Sequence, residues 1–110
     1  MRKILVAGNW KMNGTGASNA ELVAGIIEGA PGADHVDLLV CPPFPYLASV
    51  AGLLAGSRIA LGAQTVSEHE AGAYTGEVAP AMLRDVGCEY VIVGQSERRA
   101  LYAETNQAVA

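Results

Sequence analysis

The sequence is poor in basic residues and has no long apolar run. Only seven of its 110 residues are Lys or Arg, and the formal net charge is −4. Nucleic acids and anionic membranes are bound through basic surface, so we expect neither as a partner. No apolar run approaches the ~20 residues of a membrane-spanning helix. Gly8, Asn9 and Lys11 interrupt the first apolar run before a secretory signal would be complete, so we expect a cytoplasmic protein.

Cysteine and histidine are also scarce, with two residues of each. Cys41 and Cys88 belong to neither a CxxC pair nor a Cys/His cluster, the spacings typical of zinc sites. In a cytoplasmic chain we therefore expect buried free thiols and no disulfide. His35 and His69 have no metal-ligand spacing either and are expected on exposed loops. We expect no metal and no cofactor.

Four β-branched, apolar segments predict buried strands. They are KILVAG from Lys3, VDLLVC from Val36, IALGAQ from Ile59 and YVIVG from Tyr90. Nearly continuous hydrophobicity of this kind is typical of parallel strands that are covered on both faces. The alternation of these strands with helical segments predicts an α/β fold, and the chain length suits one domain over residues 1–110.

The helical segments carry start and stop signals. Ser18 and Glu21 have the spacing of a capping box, so a helix is predicted to begin there. Pro45 and Pro80 are predicted in first helical turns, where no backbone N–H is needed. Gly87 is predicted to end a helix in the left-handed conformation.

Polar residues follow three of the predicted strands directly. In parallel α/β folds, ligands bind at the carboxyl ends of the strands, so these residues are the candidates for a site. The segment GNWKMNGTG fits neither the P-loop spacing nor the dinucleotide-binding spacing of glycines. The candidates are Asn9 and Lys11 after the first strand, Gln64 after the third, and Gln95, Ser96 and Glu97 after the fourth.

The segments GNWKMN, AQTVSEHEAGAYTGEVAPAMLRDVG and YVIVGQSERR closely resemble the N-terminal half of the triosephosphate isomerase family. The resemblance implies a (β/α)₈ barrel of the usual ~250 residues, of which this chain would supply strands one to four. It would stop early in the fourth major helix. The family interconverts dihydroxyacetone phosphate and glyceraldehyde 3-phosphate in glycolysis and gluconeogenesis, without a cofactor, so the implied substrate is a small phosphorylated triose.

The resemblance also implies roles for the strand-end residues. Asn9, Lys11 and Ser96 match substrate-binding positions, with Lys11 as the cation and Glu97 as its partner. Gln95 stands where the family has a catalytic histidine. Its amide can donate a hydrogen bond but has no accessible pKa with which to deliver a proton. The implied catalytic residues are therefore Lys11, Gln95 and Glu97, with the electrophile altered.

The long segment of residues 64–79 matches the family's subunit-interface loop. The resemblance implies that Gln64, Tyr74 and Thr75 lie at an interface, with Thr75 reaching toward a neighbouring subunit. The expected partners are copies of the chain in a homo-oligomer, or a complementary half-barrel. Without the resemblance, the same segment is also consistent with a mobile loop; with it, we favour an interface.

In the family, an acidic residue removes the proton from the substrate carbon. No acidic residue in this sequence matches it, so this chain by itself is expected to be inactive. Two alternatives remain open: a half-barrel scaffold without catalysis, or a fragment that binds phosphate near Lys11. From the residues alone, Lys11 is also consistent with a solvated loop lysine and Gln95 with an ordinary strand end. Glu97, taken without the resemblance, is consistent with a carboxylate at the N-terminus of a short helix, where the helix dipole favours negative charge.

Overall fold

The computed structural model describes residues 4–30 and 36–93, in which strands and helices alternate. The four strands are β1 (Ile4–Asn9), β2 (Val36–Cys41), β3 (Ala60–Ala63) and β4 (Tyr90–Val91). The three α-helices in this part of the chain are α1 (Gly16–Gly29), α2 (Leu47–Leu54) and α3 (Pro80–Asp85). A 3₁₀ helix (Phe44–Tyr46) precedes α2.

The strands form one parallel sheet in the order β1-β2-β3-β4. β1 pairs with β2 along its whole length, from Ile4 opposite Val36 to Asn9 opposite Cys41. Shorter parallel pairings join β2 to β3 and β3 to β4. The predicted parallel α/β arrangement is confirmed, and all carboxyl ends of the strands lie at one edge of the sheet.

The core lies between the helices and one face of the sheet. Its buried apolar side chains include Val23 of α1, Val50 and Leu54 of α2, Leu61 of β3 and Leu83 of α3. Burial of one such side chain contributes roughly 1.5–3 kcal/mol. The helices pack there because each presents apolar residues at helical spacing to the sheet.

The two outer strands are much less covered than the inner ones. Leu5 and Val6 of β1 are 46% and 50% exposed, whereas Leu39 and Val40 of β2 are buried. Tyr90 and Val91 of β4 are exposed as well. The two outermost strands, β1 and β4, therefore present apolar side chains to solvent.

Helix α1 begins earlier than the sequence predicts. The N-cap is Thr15, whose Oγ1 accepts a hydrogen bond from the Ser18 N–H at 3.1 Å, and the Ser18 Oγ accepts one from the Thr15 N–H at 2.9 Å. The prediction of Ser18 as N-cap, with Glu21 completing the box, was wrong. Two hydroxyl residues at the same spacing satisfy the helix amides one turn earlier, and Ser18 becomes the third helical residue.

Two other helix signals are confirmed. Pro80 is the first residue of α3, and Gly87 follows that helix with a φ of 99°. A non-glycine residue would be strained there, because a Cβ disfavours positive φ. Pro45 lies in the 3₁₀ helix that leads into α2. Among the described helices, none is both long and apolar enough to cross a bilayer.

Candidate functional site at the strand ends

The carboxyl ends of β1, β2 and β3 bring three predicted site residues together with a backbone carbonyl. Asn9 is the last residue of β1 and lies opposite Cys41, the last residue of β2. Gln64 comes directly after β3. The first loop, residues 10–15, leaves β1 at this edge and carries Lys11. Parallel pairing alone places these groups side by side.

Lys11 has an unusual backbone conformation. Its φ is 52°, the one positive value for a non-glycine residue in the described ranges. This region costs a residue with a Cβ roughly 1–2 kcal/mol. Hydrogen bonds hold it on both sides: the Lys11 N–H donates to the Asn9 Oδ1 at 2.9 Å, and the Lys11 carbonyl accepts from the Gln64 Nε2 at 2.7 Å.

Trp10, the preceding residue, is fixed in the same way. Its N–H donates to the Cys41 carbonyl at 3.1 Å, and its carbonyl accepts from the Asn13 Nδ2 at 2.9 Å. All the backbone polar groups of Trp10 and Lys11 therefore have partners. The structure specifies one conformation for the start of the first loop, which is a condition for a site that must hold a ligand in a fixed geometry.

The far end of the first loop is set by Gly14 and Asn19. Gly14 has a φ of 122°, and a Cβ built there would lie 2.5 Å from the Asn19 Oδ1. Asn19 is 2% exposed, and its Nδ2 has no hydrogen-bond partner within the described chain. A concavity of about 390 Å³ lies on this side of the loop, lined by Trp10, Asn13, Gly14, Ser18, Asn19 and Leu22.

The segment of residues 64–79 folds back on itself. The Ser67 N–H donates to the Val78 carbonyl at 2.8 Å, which joins its two ends. Near the tip, the Tyr74 ring stacks on His69 with 3.9 Å between the ring centroids. Tyr74 is 47% exposed and Thr75 is exposed. His69 lies on an exposed loop as predicted, whereas His35 lies outside the described residues.

Both cysteines are buried free thiols, as predicted. Burial raises the pKa of the Cys41 thiol to about 11, with a smaller contribution from Cys88 nearby. Burial also raises the pKa of the Cys88 thiol. Both groups are therefore protonated at neutral pH and are poor nucleophiles. Over residues 4–30 and 36–93, no three His, Cys, Asp or Glu side chains are grouped as metal ligands.

The predicted site residues thus fall into three groups. Asn9, Lys11 and Gln64 come together at one edge of the sheet. Tyr74 and Thr75 lie apart from them on the 64–79 segment, and Gln95, Ser96 and Glu97 lie outside the described residues. The sequence reasoning missed the bond between Gln64 and Lys11 and the part of Asn13 in the first loop. The position of Gln64 after a strand was the available signal.

Comparisons with known proteins agree on one family. The family model described as triosephosphate isomerase matches residues 4–110. A triosephosphate isomerase of Thiobacillus denitrificans is 58% identical over the whole chain, and one of Herminiimonas arsenicoxydans is 59% identical. The crystal structure of triosephosphate isomerase from Bartonella henselae superposes with a TM-score of 0.90 at 36% identity, covering 97% of this chain.

The match covers one part of each relative. The chain spans 43% of the Thiobacillus denitrificans relative, 44% of the Herminiimonas arsenicoxydans relative and 44% of the Bartonella henselae chain. The four parallel strands and their helices match the N-terminal half of a TIM barrel, which confirms the predicted fold class. By its sequence match and its fold, the chain belongs to the triosephosphate isomerase family.

Proposed function

We propose that this chain supplies the first-loop part of a triosephosphate isomerase site, with Lys11 facing a phosphorylated triose. The observation that carries the proposal is Lys11 itself, held in a costly conformation at the carboxyl end of β1. Unfavourable backbone geometry that is fixed from both sides is characteristic of functional positions. An ammonium group there would offset the phosphate charge and the negative charge that develops on the enediol oxygen.

The proposed reaction interconverts dihydroxyacetone phosphate and glyceraldehyde 3-phosphate. The side-chain oxygen of Asn9 accepts a hydrogen bond from the Lys11 N–H. The Asn9 Nδ2 is therefore the group that donates to the substrate. Ser96 is assigned to substrate binding and Glu97 to pairing with Lys11. Gln95 donates a hydrogen bond to the substrate carbonyl without relaying a proton. We place this activity in the cytoplasm and in glycolysis and gluconeogenesis.

Proton removal from carbon needs a general base. No acidic residue among the 110 matches the one that serves as this base in the family. A direct test therefore uses a completed barrel, in which residues 1–110 are fused to the C-terminal remainder of the Thiobacillus denitrificans relative. We expect slow isomerisation by the completed barrel and none by the chain alone. The relative itself is the positive control. If the completed barrel and its Gln95→His variant are both inactive while the relative is active, the proposal is wrong. Phosphate binding by such an inactive chain would favour a phosphate-binding fragment.

We propose further that the chain associates with copies of itself or with a complementary half-barrel. The support is apolar surface in two places. The outermost strands β1 and β4 expose apolar side chains, with Val6 50% exposed, and the first loop exposes Met12, which is 94% exposed. Uncovered strand edges and apolar patches favour association. The 64–79 segment, with Tyr74 and Thr75 exposed near its tip, is the second proposed contact surface.

Shortening residues 70–76 tests the second contact surface. We expect a lower assembly mass by sedimentation at micromolar concentration, with the helix content by circular dichroism largely unchanged, because this stretch contains no helix. A wild-type chain that sediments as a clean monomer would contradict self-association altogether. An unchanged assembly mass after shortening would leave the sheet edges as the contact surface and remove the loop from it.

A further inference from the structure

The side-chain amide of Gln64 lies between two backbone carbonyls from different strands. Its Nε2 is 2.7 Å from the Lys11 carbonyl oxygen and 2.9 Å from the Cys41 carbonyl oxygen. An amide nitrogen carries two N–H groups, and this geometry uses both of them. One side chain therefore connects the first loop, the end of β2 and the segment that follows β3.

The connection acts on the residue whose conformation is least favourable. The Lys11 N–H is already held locally by Asn9, two residues before it. The Lys11 carbonyl depends on Gln64, which is 53 residues away in the sequence. A positive φ persists only when the surroundings determine it from several directions. Loss of the Gln64 donor would free this peptide to rotate, and the Lys11 ammonium would move with it.

The Cys41 carbonyl fixes the position of the Gln64 amide. It accepts from the Trp10 N–H at 3.1 Å as well as from Gln64. Cys41 is fully buried at the end of β2 and pairs with Asn9 in the sheet. The Gln64 amide is thus held against a rigid part of the sheet, and from there it reaches the loop. A side chain fixed on a strand end transmits position better than one on a mobile segment.

We propose that Gln64 is a positioning residue for Lys11, holding the first loop in the conformation that places the Lys11 ammonium at the strand ends. This role lies within the chain and is additional to the subunit interface to which sequence resemblance assigns Gln64. As far as it concerns substrate, the inference rests on the proposed function. As far as it concerns the Lys11 backbone, it stands on the two hydrogen bonds alone.

The test compares three variants. Gln64→Glu replaces both donors by a carboxylate that faces two carbonyl oxygens. Gln64→Met removes the donors at similar length and without charge. Ala81→Glu adds the same charge at an exposed position of α3, outside the proposed contact surface, and serves as the matched control. Circular dichroism establishes that each variant folds, and Gln64→Met keeps the test valid if the charge introduced by Gln64→Glu at this half-buried position prevents folding.

The Gln64→Glu variant should introduce a pH dependence. The two carbonyl oxygens disfavour the charged form, so the pKa of the introduced carboxyl is raised above its ordinary value. Below that pKa the protonated carboxyl regains one O–H donor, and above it no donor exists. The Lys11 conformation is therefore expected to recover as the pH falls. Gln64→Met should show no such recovery. A variant that is impaired only by a folding defect would also not recover as the pH falls.

Two readouts separate the parts of the inference. In the 110-residue chain, the Lys11 amide signal and its hydrogen exchange report the backbone without substrate. We expect exchange roughly tenfold faster or more in Gln64→Met, and in Gln64→Glu at neutral pH, because the amide loses its fixed geometry. In the completed barrel, kcat/KM is expected to fall roughly 10- to 100-fold in both variants, since a small misplacement of a catalytic group has effects of that size.

The outcomes are distinguishable. A changed Lys11 amide in barrels that never turn over supports the positioning role and rejects the proposed function. An active barrel in which both Gln64 variants match wild type in kcat/KM overturns the positioning role. An unchanged Lys11 amide in both variants overturns it as well. Equal losses in Ala81→Glu and Gln64→Glu, with no loss in Gln64→Met, would assign the effect to charge and also reject the inference.

Discussion

Replacing Gln95 by histidine in the completed barrel is expected to raise kcat roughly 10²- to 10⁴-fold, the usual contribution of a positioned acid or base. Both side chains can hydrogen-bond a substrate carbonyl, but only imidazole can also pass a proton between the two substrate oxygens. The gain should therefore appear in kcat, with KM nearly constant. Steady-state kinetics of the two barrels, in both reaction directions, measure it.

The 110-residue chain is the control for this change. Gln95→His should restore nothing there, because proton abstraction from carbon still lacks its base. A second control is the unmodified Thiobacillus denitrificans relative, which sets the rate of an intact site with the same C-terminal half. Equal kcat values in the two completed barrels, or measurable isomerisation by either half-chain, would show that Gln95 does not occupy the electrophile position.

Lys11→Met in the completed barrel should lower kcat/KM by roughly 10²- to 10³-fold or more, the scale of losing one electrostatic group aimed at developing charge. Methionine keeps the length and apolar stem of the side chain and removes its charge. The backbone bonds to Asn9 and Gln64 do not involve the ammonium, so the first loop should retain its conformation. Competition by inorganic phosphate should weaken in parallel.

Arg84→Met is the matched control for Lys11→Met. Arg84 is exposed in the last turn of α3, and its removal lowers the net charge by the same amount. We expect kcat/KM within about twofold of wild type, since long-range effects of one exposed charge are largely screened at physiological salt. Equal losses in the two variants would mean that Lys11 acts through overall charge and does not contact the substrate.

Much of the architecture follows from simple patterns in the sequence. Four β-branched apolar segments predict the strands, and Pro80 and Gly87 mark α3 because their backbone constraints are nearly independent of tertiary context. The start of α1 was misplaced because hydroxyl residues recur three apart, at Thr15 and Ser18, and either can cap a helix. Which one does so depends on where the chain leaves the first loop.

The site was predictable in outline only. The rule that ligands bind at the carboxyl ends of parallel strands selects Asn9, Lys11 and Gln64 before any coordinates are known. The left-handed backbone of Lys11 could not be predicted, because lysine has no intrinsic preference for it. Nor could the Gln64 bond to Lys11, which depends on a side-chain rotamer and on two loops from distant parts of the sequence.

The neighbour-to-neighbour order of the sheet sets a sequence of events during synthesis. Each new strand emerges from the ribosome after the strand beside which it will lie, so the fold can grow one strand and helix at a time. β1 and β2 can pair early, and Asn9 can reach Lys11 at once. Gln64 is made only after β3. The Lys11 carbonyl therefore acquires its hydrogen bond from Gln64 late, and a nascent chain that stalls before β3 would carry the lysine with only the bond to Asn9.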